Sequence, residues 1–237
     1  MSRLGIDIDP VAIIRNIFTD EDIPDPAHIS VLAEMGGAES IVCCLREDIR
    51  SVNERDVRVL KEIVKTHLNI RSTITDDTVR KLLKIKPDMI TFVSSGAETS
   101  LLPAPVNPED YAVSLSDYIA DARANNIATG IFIEPDIDSI KLAGKLEVDY
   151  IEINAKKYTS AENLDEQIAE LESINSLVIA ANKLGMGVNI SGGINQENIS
   201  ELAKTPYLDD LIVANSLIVK ALAIGFEQAV RDFVSVI

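Results

Sequence analysis

The chain has 237 residues, of which 46% are hydrophobic and 25% are charged, as in ordinary globular proteins. Its 38 acidic and 22 basic side chains give a formal net charge of −16. A surface this acidic repels nucleic acids and anionic membranes, so we expect neither as a partner, and any anionic substrate needs a local positive feature.

Two further features of the sequence favour a cytosolic protein. No apolar run of about 18 residues indicates a membrane span, and the first residues lack the apolar region of a signal peptide. The two cysteines, Cys43 and Cys44, are adjacent, which suits a structural disulfide poorly.

Short apolar runs alternate with longer amphipathic stretches along the whole chain, the pattern of a parallel sheet covered by helices. The predicted strands are residues 3–9, 40–45, 68–74, 89–94, 128–135, 150–155, 187–192 and 210–215. The predicted helices are residues 27–35, 53–67, 75–86, 111–125, 136–146, 161–184, 195–204 and 216–236. The helix at 161–184 is long enough to be two.

Eight strand–helix units predict an α/β fold, a single (β/α)₈ TIM barrel with a parallel eight-stranded core, as one domain over residues 1–237. An open flavodoxin-like sheet is the alternative, but eight units favour closure. The one long irregular stretch, residues 95–110, contains Pro103, Pro105 and Pro108 and follows the fourth strand. It is either a lid or a surface loop.

Polar residues cluster at the carboxyl ends of the predicted strands, where barrels bind ligands. Because side chains alternate along a strand, Asp7 and Asp9 share one face, and Cys44 and Arg46 face the barrel mouth while Cys43 faces the helices. The other candidates at this end are Arg71, Glu134, Glu152, Asn154, Asn189 and Ser191. Charges inside apolar strands are costly unless paired or functional, so an ion pair of Arg71 with Asp7 or Glu152 is the structural alternative.

Two segments suggest an anion site. The seventh strand runs into Ser191-Gly192-Gly193, where glycines let backbone amides approach a ligand. The eighth runs into Asn215-Ser216 at the start of a helix, and helix N-termini favour anions. Loops after strands seven and eight are the recurrent phosphate site of this fold.

Other chemistry is poorly represented. His28 and His67 fall in predicted helices rather than at strand ends. No spacing indicates a zinc site, the pair Asp7 and Asp9 is a weak magnesium signal, and no nucleotide-binding glycine motif is present. We therefore predict no metal and no cofactor.

Several segments together resemble the pyridoxine 5′-phosphate synthase family over nearly the whole chain. The most specific are Leu-Arg-Glu-Asp-Ile-Arg at 45–50 and Arg-Asp-Val-Arg at 55–58. Supporting segments are Gly-Ile-Asp-Ile-Asp at 5–9 with Arg-Asn at 15–16, Ile-Pro-Asp-Pro at 23–26, Ile-Glu-Ile at 151–153 and Leu-Gly-Met-Gly-Val-Asn at 184–189. The resemblance implies a modified (β/α)₈ barrel, a homo-oligomer, commonly an octamer, and condensation of 3-amino-2-oxopropyl phosphate with 1-deoxyxylulose 5-phosphate.

The departures from the family lie in the predicted pocket. The family's first-strand Asn-Ile-Asp-His reads Asp-Ile-Asp-Pro at 7–10, so only Asp9 is kept of its polar residues. The resemblance implies catalytic histidines at Cys44 and Gly192 and a catalytic glutamate at Arg71, whereas Arg46 and Gly193 match the family. Further histidines of the family correspond to Ser51, Asn154 and Asn215.

The sequence therefore predicts a transferase- or lyase-type enzyme with altered acid–base chemistry that binds a small phosphorylated carbonyl compound. Arg46, the 191–193 loop and Asn215-Ser216 would hold phosphate, and Arg71 a second anionic group. Cys44, Glu134 or Glu152 would transfer protons, with Cys44 a nucleophile if Arg46 and Arg71 lower its pKa. Asp7, Asp9 and Asn154 complete the predicted substrate site. Two alternatives remain: authentic pyridoxine 5′-phosphate synthase with substitute residues, and a non-catalytic phosphate-ligand-binding paralogue.

Overall fold

The computed structural model describes residues 2–18, 23–48, 50–96 and 102–237. Eight strands each pair in parallel with the next, and the last pairs with the first, which closes a barrel. The strands are β1 (Arg3–Asp7), β2 (Ser40–Leu45), β3 (His67–Thr73), β4 (Met89–Val93), β5 (Ala128–Ile133), β6 (Tyr150–Asn154), β7 (Gly187–Ser191) and β8 (Asp210–Val213). The (β/α)₈ prediction is confirmed.

Helices follow the strands and cover the outside of the barrel. The helices are α1 (Asp9–Ile17), α2 (Pro26–Gly36), α3 (Glu54–Ile63), α4 (Asp76–Ile85), α5 (Ala112–Ala124), α6 (Ile137–Lys145), α7 (Lys156–Thr159), α8 (Leu164–Lys183), α9 (Ile199–Leu202), α10 (Asn215–Ile224) and α11 (Phe226–Val234). Side-chain caps set several of their starts. Asn53, for example, accepts a hydrogen bond from the Asp56 amide while the Asp56 carboxylate accepts one from the Asn53 amide.

The main core lies between the barrel and the helices, and it takes every second residue of each strand. On β2, Ile41, Cys43 and Leu45 belong to this outer core. Cys44 instead packs inside the barrel with Val93 and Phe132. The predicted orientation of the two cysteines is therefore confirmed, and the inward-facing positions carry the polar residues.

At the amino end of the barrel, carboxylates bind backbone amides of neighbouring strands. Asp88 accepts a hydrogen bond from the Leu68 amide at 2.8 Å, and Asp149 accepts one from the Thr129 amide at 2.8 Å. Asp209 accepts one from the Val188 amide at 2.9 Å. These side chains fix the starts of β3, β5 and β7, so the amino end has a structural role.

The structure corrects three predictions. β1 ends at Asp7, and Asp9 is the first residue of α1. The alternating Ile-Asp-Ile-Asp pattern predicted a strand through Asp9 instead. His67 begins β3 rather than ending a helix. The predicted helix at 216–236 is two helices, because Gly225 has φ +85° and breaks the helical path.

The irregular stretch after β4 is only partly described, because residues 97–101 lie outside the described residues. Ser94 and Ala104 exchange backbone hydrogen bonds at 2.9 Å, and residues Pro108–Tyr111 form a 3₁₀ turn. Whether this stretch acts as a lid stays a prediction.

Candidate active site

A cavity of about 300 Å³ opens at the carboxyl ends of the strands. It brings together predicted site residues from β1, β3 and the loops after β7 and β8: Asp7, Arg71, Ser191, Gly192, Gly193, Asn215 and Ser216. Phe132, Leu102 and Pro103 also line it, and they were not predicted. We call this space the first cavity.

Arg71 forms the centre of a buried ion cluster on the floor of the first cavity. Its Nη1 donates to Asp7 Oδ2 at 2.5 Å, and its Nη2 and Nε donate to the two Glu152 oxygens at 2.6 and 3.2 Å. Although burial alone lowers the pKa of Arg71, the carboxylates of Glu152 and Asp7 raise it overall. Its guanidinium carbon also lies 5.9 Å from the centre of the Phe132 ring. The ion-pair alternative named from the sequence is therefore present.

Glu152 is fully buried, and it contacts the cavity through another side chain. Ser191 Oγ donates a hydrogen bond to Glu152 Oε1 at 2.5 Å. Ser191 lines the cavity, whereas Glu152 reaches it only through Ser191 and Arg71. The carboxylate thus has charged and neutral donors around it, as a buried carboxylate requires.

The loop after β7 exposes backbone amides to the cavity. Gly192 and Gly193 have φ of +99° and +76°, a conformation that glycine adopts without strain. Among the hydrogen bonds of the described residues, none has the Gly193 or Ile194 amide as donor. Asn198 stabilises the loop, since its Oδ1 accepts from the Asn195 amide and its Nδ2 donates to the Gly193 carbonyl. A loop with glycines at positive φ and amides without an acceptor has the geometry that can bind an anion.

The start of α10 lies against the same loop. Ser216 Oγ donates to the Ile194 carbonyl at 2.6 Å, so the loop after β7 and the first turn of α10 are tied together. The first-turn amides of Asn215 and Ser216 have no acceptor within their own helix. Both segments line the first cavity, and helix N-termini favour anions, so this end of the cavity suits a negatively charged group.

Asn154 fills the space beside Gly192. A Cβ atom on Gly192 would lie 2.4 Å from Asn154 Oδ1, so a side chain at 192 would require Asn154 to move and would strain a backbone with φ of +99°. Asn154 Nδ2 donates to Glu134 Oε1 at 2.8 Å, and Asn154 Oδ1 accepts from the Lys156 amide at 3.1 Å. Glu134 is exposed at the rim. The rim therefore places a carboxylate next to the position where the resemblance implies a histidine.

Arg46 does not share the first cavity, contrary to the prediction that it joins the 191–193 loop in holding one phosphate. It lies in a second cavity of about 230 Å³, with Asp48, Thr73, Ser94 and Tyr111 among the lining residues. The Arg46 guanidinium is 3% exposed and donates twice to Asp48, while its Nη1 has no partner among the described residues. A buried guanidinium nitrogen without an acceptor suits an anionic ligand.

The surroundings of Cys44 favour the thiol form over the thiolate. Burial, followed by the charge of Asp9, raises its pKa well above the usual value, more than Arg71 and Arg46 lower it. The condition for a nucleophilic Cys44, a pKa lowered by Arg46 and Arg71, is therefore not met, and Cys44 packs as a small apolar residue against Val93 and Phe132. Cys44 also lines neither cavity.

Asp9 lies beside Cys44 in the same buried layer. Its Oδ1 accepts a hydrogen bond from the Cys44 amide at 2.9 Å, and its Oδ2 has no partner among the described residues. Burial, with the neighbouring Asp7 carboxylate, raises the pKa of Asp9 well above its usual range. The raised pKa favours the neutral form of Asp9, whereas the neighbouring Asp7 carboxylate pairs with Arg71.

Within the described residues, no helix is both long and apolar enough to cross a membrane.

Comparisons with known proteins agree with the barrel architecture. The chain superposes on a monomeric form of the dimeric phosphoribosylanthranilate isomerase from Thermotoga maritima with a TM-score of 0.60 at 10% identity, covering 99% of this chain and 97% of that one. It also superposes on a 4-hydroxy-2-oxoglutarate aldolase from TTHB1 with a TM-score of 0.57 at 13% identity, covering 90% and 88%. These similarities concern the fold alone.

Sequence relatives are much closer. The pyridoxine 5′-phosphate synthases of Geotalea uraniireducens and Geobacter sulfurreducens are each 34% identical to this chain over 237 residues, which is 100% of this chain and 99% of each relative. That of Prochlorococcus marinus is 32% identical over the same span. A profile of the family described as "Pyridoxal phosphate biosynthesis protein PdxJ" matches residues 4–237. The chain therefore belongs to the PdxJ family.

Proposed function

We propose that this chain is an enzyme of vitamin B6 biosynthesis that condenses two small phosphorylated carbonyl compounds at the mouth of its barrel. The observation that carries the proposal is the pair of separate anion-binding cavities. One offers the amides after β7 and at the start of α10, and the other offers the unpartnered Nη1 of Arg46. A single phosphorylated ligand needs only one of them.

The family reaction fits two such cavities. Its substrates, 3-amino-2-oxopropyl phosphate and 1-deoxyxylulose 5-phosphate, each carry one phosphate. The relatives with identities of 32–34% over the full chain carry the name pyridoxine 5′-phosphate synthase. These comparisons support the family reaction with substitute residues more than an altered reaction.

In this proposal, Glu134 and Glu152 supply the acid–base groups. Condensing an amine with a ketone requires protons to be removed from the attacking group and delivered to the leaving oxygen. Glu134 is held by Asn154 beside Gly192, and Glu152 is joined to the cavity through Ser191. Asp7 and Arg71 line the same cavity as the loop amides that would hold the phosphate.

A second candidate is a different reaction on a phosphorylated carbonyl compound. It is favoured by Arg71, because a guanidinium with a raised pKa cannot act as the base that the resemblance implies at this position. In this case Arg71 and its carboxylates would bind or polarise a substrate group that the family substrates lack.

We also propose that the protein is a cytosolic homo-oligomer. The family resemblance implies the assembly, and exposed apolar residues on α10, including Val219 and Leu222, are consistent with a contact between subunits. The mass of the native protein, measured by native mass spectrometry, tests this.

The enzymatic proposal is tested by complementation of a bacterial strain that lacks its own pyridoxine 5′-phosphate synthase, with product detected by mass spectrometry. We expect growth and product from the wild-type gene, and loss of both when Arg46→Met and Gly193→Ala are combined. A protein that binds both substrates but forms no product would favour the second candidate, a different reaction. Protein that binds one phosphate and turns over nothing would indicate a non-catalytic paralogue.

A further inference from the structure

Ser191 has a hydrogen-bonding arrangement that a phosphate ligand does not need. A serine hydroxyl has one proton to donate and two lone pairs that accept. The proton of Ser191 is committed to Glu152 Oε1 at 2.5 Å. Because phosphate oxygens accept hydrogen bonds, Ser191 has nothing left to donate to them. Toward the first cavity, its Oγ can act only as an acceptor.

The partner of Ser191 is placed to receive a proton. Glu152 is fully buried, and Arg71 donates to both of its oxygens, at 2.6 and 3.2 Å. Glu152 does not touch the cavity itself, whereas Ser191 lines it with a 5% exposed side chain. Any proton that travels between Glu152 and a ligand in the first cavity therefore has a direct route through Ser191.

The loop amides complete the arrangement. Gly193 and Ile194 follow Ser191 within three residues, and their amides have no acceptor among the described residues. If these amides hold the phosphate of a ketone, the rest of that ligand lies in the cavity that Ser191 lines, where an acceptor side chain with a carboxylate behind it can take part in proton abstraction.

We propose that Ser191 is a catalytic proton relay between a phosphorylated ketone in the first cavity and Glu152. The Ser191 Oγ accepts a proton from the carbon next to the substrate carbonyl while its own hydroxyl proton passes to Glu152 Oε1. The electron pair of the broken C–H bond stays on the substrate as an enolate, and Glu152 becomes a neutral acid. The reverse steps return the proton. The relay rests on the proposed function. It can nevertheless be tested with either substrate alone, without the condensation.

The experiment measures deuterium exchange by proton NMR. Wild-type protein is incubated in D₂O with 1-deoxyxylulose 5-phosphate alone, and separately with 3-amino-2-oxopropyl phosphate alone, and loss of the signals beside each carbonyl is followed. Ser191→Ala is the test variant, and Ser191→Thr keeps a hydroxyl at the same position. Ser176→Ala, an exposed serine on α8 that bonds only a carbonyl of its own helix, is the control.

We expect exchange by the wild type and by Ser176→Ala, a loss of about 10²–10⁴-fold in Ser191→Ala, and partial recovery in Ser191→Thr. Affinity for inorganic phosphate, measured by calorimetry, should stay within about twofold in Ser191→Ala, because Ser191 does not donate to phosphate. A tenfold loss of phosphate affinity, the size expected for removing one donor to a charged group, would show that Ser191 is a phosphate ligand and overturn the relay.

Three further outcomes separate the relay from the proposed function. Exchange that depends on Ser191, without condensed product from the two substrates together, would overturn the family reaction and support the relay. Condensed product from Ser191→Ala at the wild-type rate, or wild-type protein that binds phosphate and exchanges neither ketone, would overturn the relay.

Discussion

At the amino end of the barrel, Asp88, Asp149 and Asp209 bind the first amides of neighbouring strands. At the carboxyl end, Asp9 and Arg46 each keep a buried polar atom without a partner among the described residues. Both ends carry charged residues at the tips of apolar strands, yet among the described residues only the carboxyl end has ionisable side chains with an unpartnered buried atom, and Arg46 lines a cavity. Satisfied charges of this kind hold strands in register, and unsatisfied ones mark places for ligands.

The Arg71 cluster is the exception, because it lies at the carboxyl end and its charges are paired. Replacing Arg71 by methionine leaves Asp7 and Glu152 buried without their cation. We expect Arg71→Met to lower the free energy of unfolding by about 3–5 kcal/mol, measured by urea denaturation.

The control for this prediction is Arg58→Met, which removes an exposed pair with Glu54 on α3. It should change the free energy of unfolding by less than about 0.5 kcal/mol. Equal costs for the two variants would mean that the cluster contributes no more than a surface pair, and its place at the floor of the cavity would then have no structural explanation.

Substitutions of glycine can distinguish backbone strain from an effect on ligand binding. A Cβ on Gly193 would lie 2.3 Å from Thr159 Oγ1, at a φ of +76°. We expect Gly193→Ala to cost about 1–3 kcal/mol and to abolish phosphate binding in the first cavity, because the loop must move. Calorimetric titration with inorganic phosphate measures the second effect.

Gly185→Ala is the matched variant, since its φ is +84° and a Cβ there meets nothing within 4 Å. It should cost stability through backbone strain and leave phosphate affinity unchanged. Loss of phosphate affinity in this variant would indicate that replacing any glycine with a positive φ disturbs the site. The result for Gly193→Ala would then not show a specific role of its amide.

Much of this arrangement follows from the sequence. Seven of the eight predicted strand starts, such as Ser40 and Met89, match the structure, because hydrophobic alternation and the flanking turns mark them. The separation of Arg46 from the 191–193 loop also follows from the predicted barrel, although the sequence-based prediction grouped the two as phosphate ligands. It arises because β8 and β1 lie between β7 and β2 in the closed barrel.

The remaining differences have both local and long-range causes. α1 was missed because Ile-Asp-Ile-Asp reads as a strand, although proline at the second helical position suits a first turn. Phe132 was missed as a lining residue, yet it lies two positions before Glu134 and so shares its face. The Ser191–Glu152 bond joins residues 39 apart in the chain, and no local pattern encodes such a contact.

A smaller effect is expected at the amino end. Asp149 accepts from both the amide and the hydroxyl of Thr129, at 2.8 and 3.0 Å. Asp149→Ala leaves the buried Thr129 amide without an acceptor and should lower the free energy of unfolding by about 1–3 kcal/mol. Phosphate titrations should be unchanged. Weakened phosphate binding would remove the distinction between the two ends.

The smallest effect concerns pH. Burial raises the pKa of Asp9 in the folded protein above its value in the unfolded chain. Its neutral form is therefore favoured by folding, and this contribution is present at low pH and is lost as the pH rises through the raised pKa. Asp9→Asn, which cannot ionise, should match the wild type in acid and exceed it in stability at higher pH. A constant difference between the two proteins across pH, measured by thermal unfolding, would contradict the assignment.

Titration with inorganic phosphate tests directly whether the barrel mouth has two separate anion sites. Inorganic phosphate is titrated calorimetrically into the wild type, Arg46→Met and Gly193→Ala. We predict two sites per chain in the wild type. Arg46→Met should keep only the site at the loop amides, and Gly193→Ala should keep only the site at Arg46. One site in the wild type, or loss of the same site in both variants, would contradict the account.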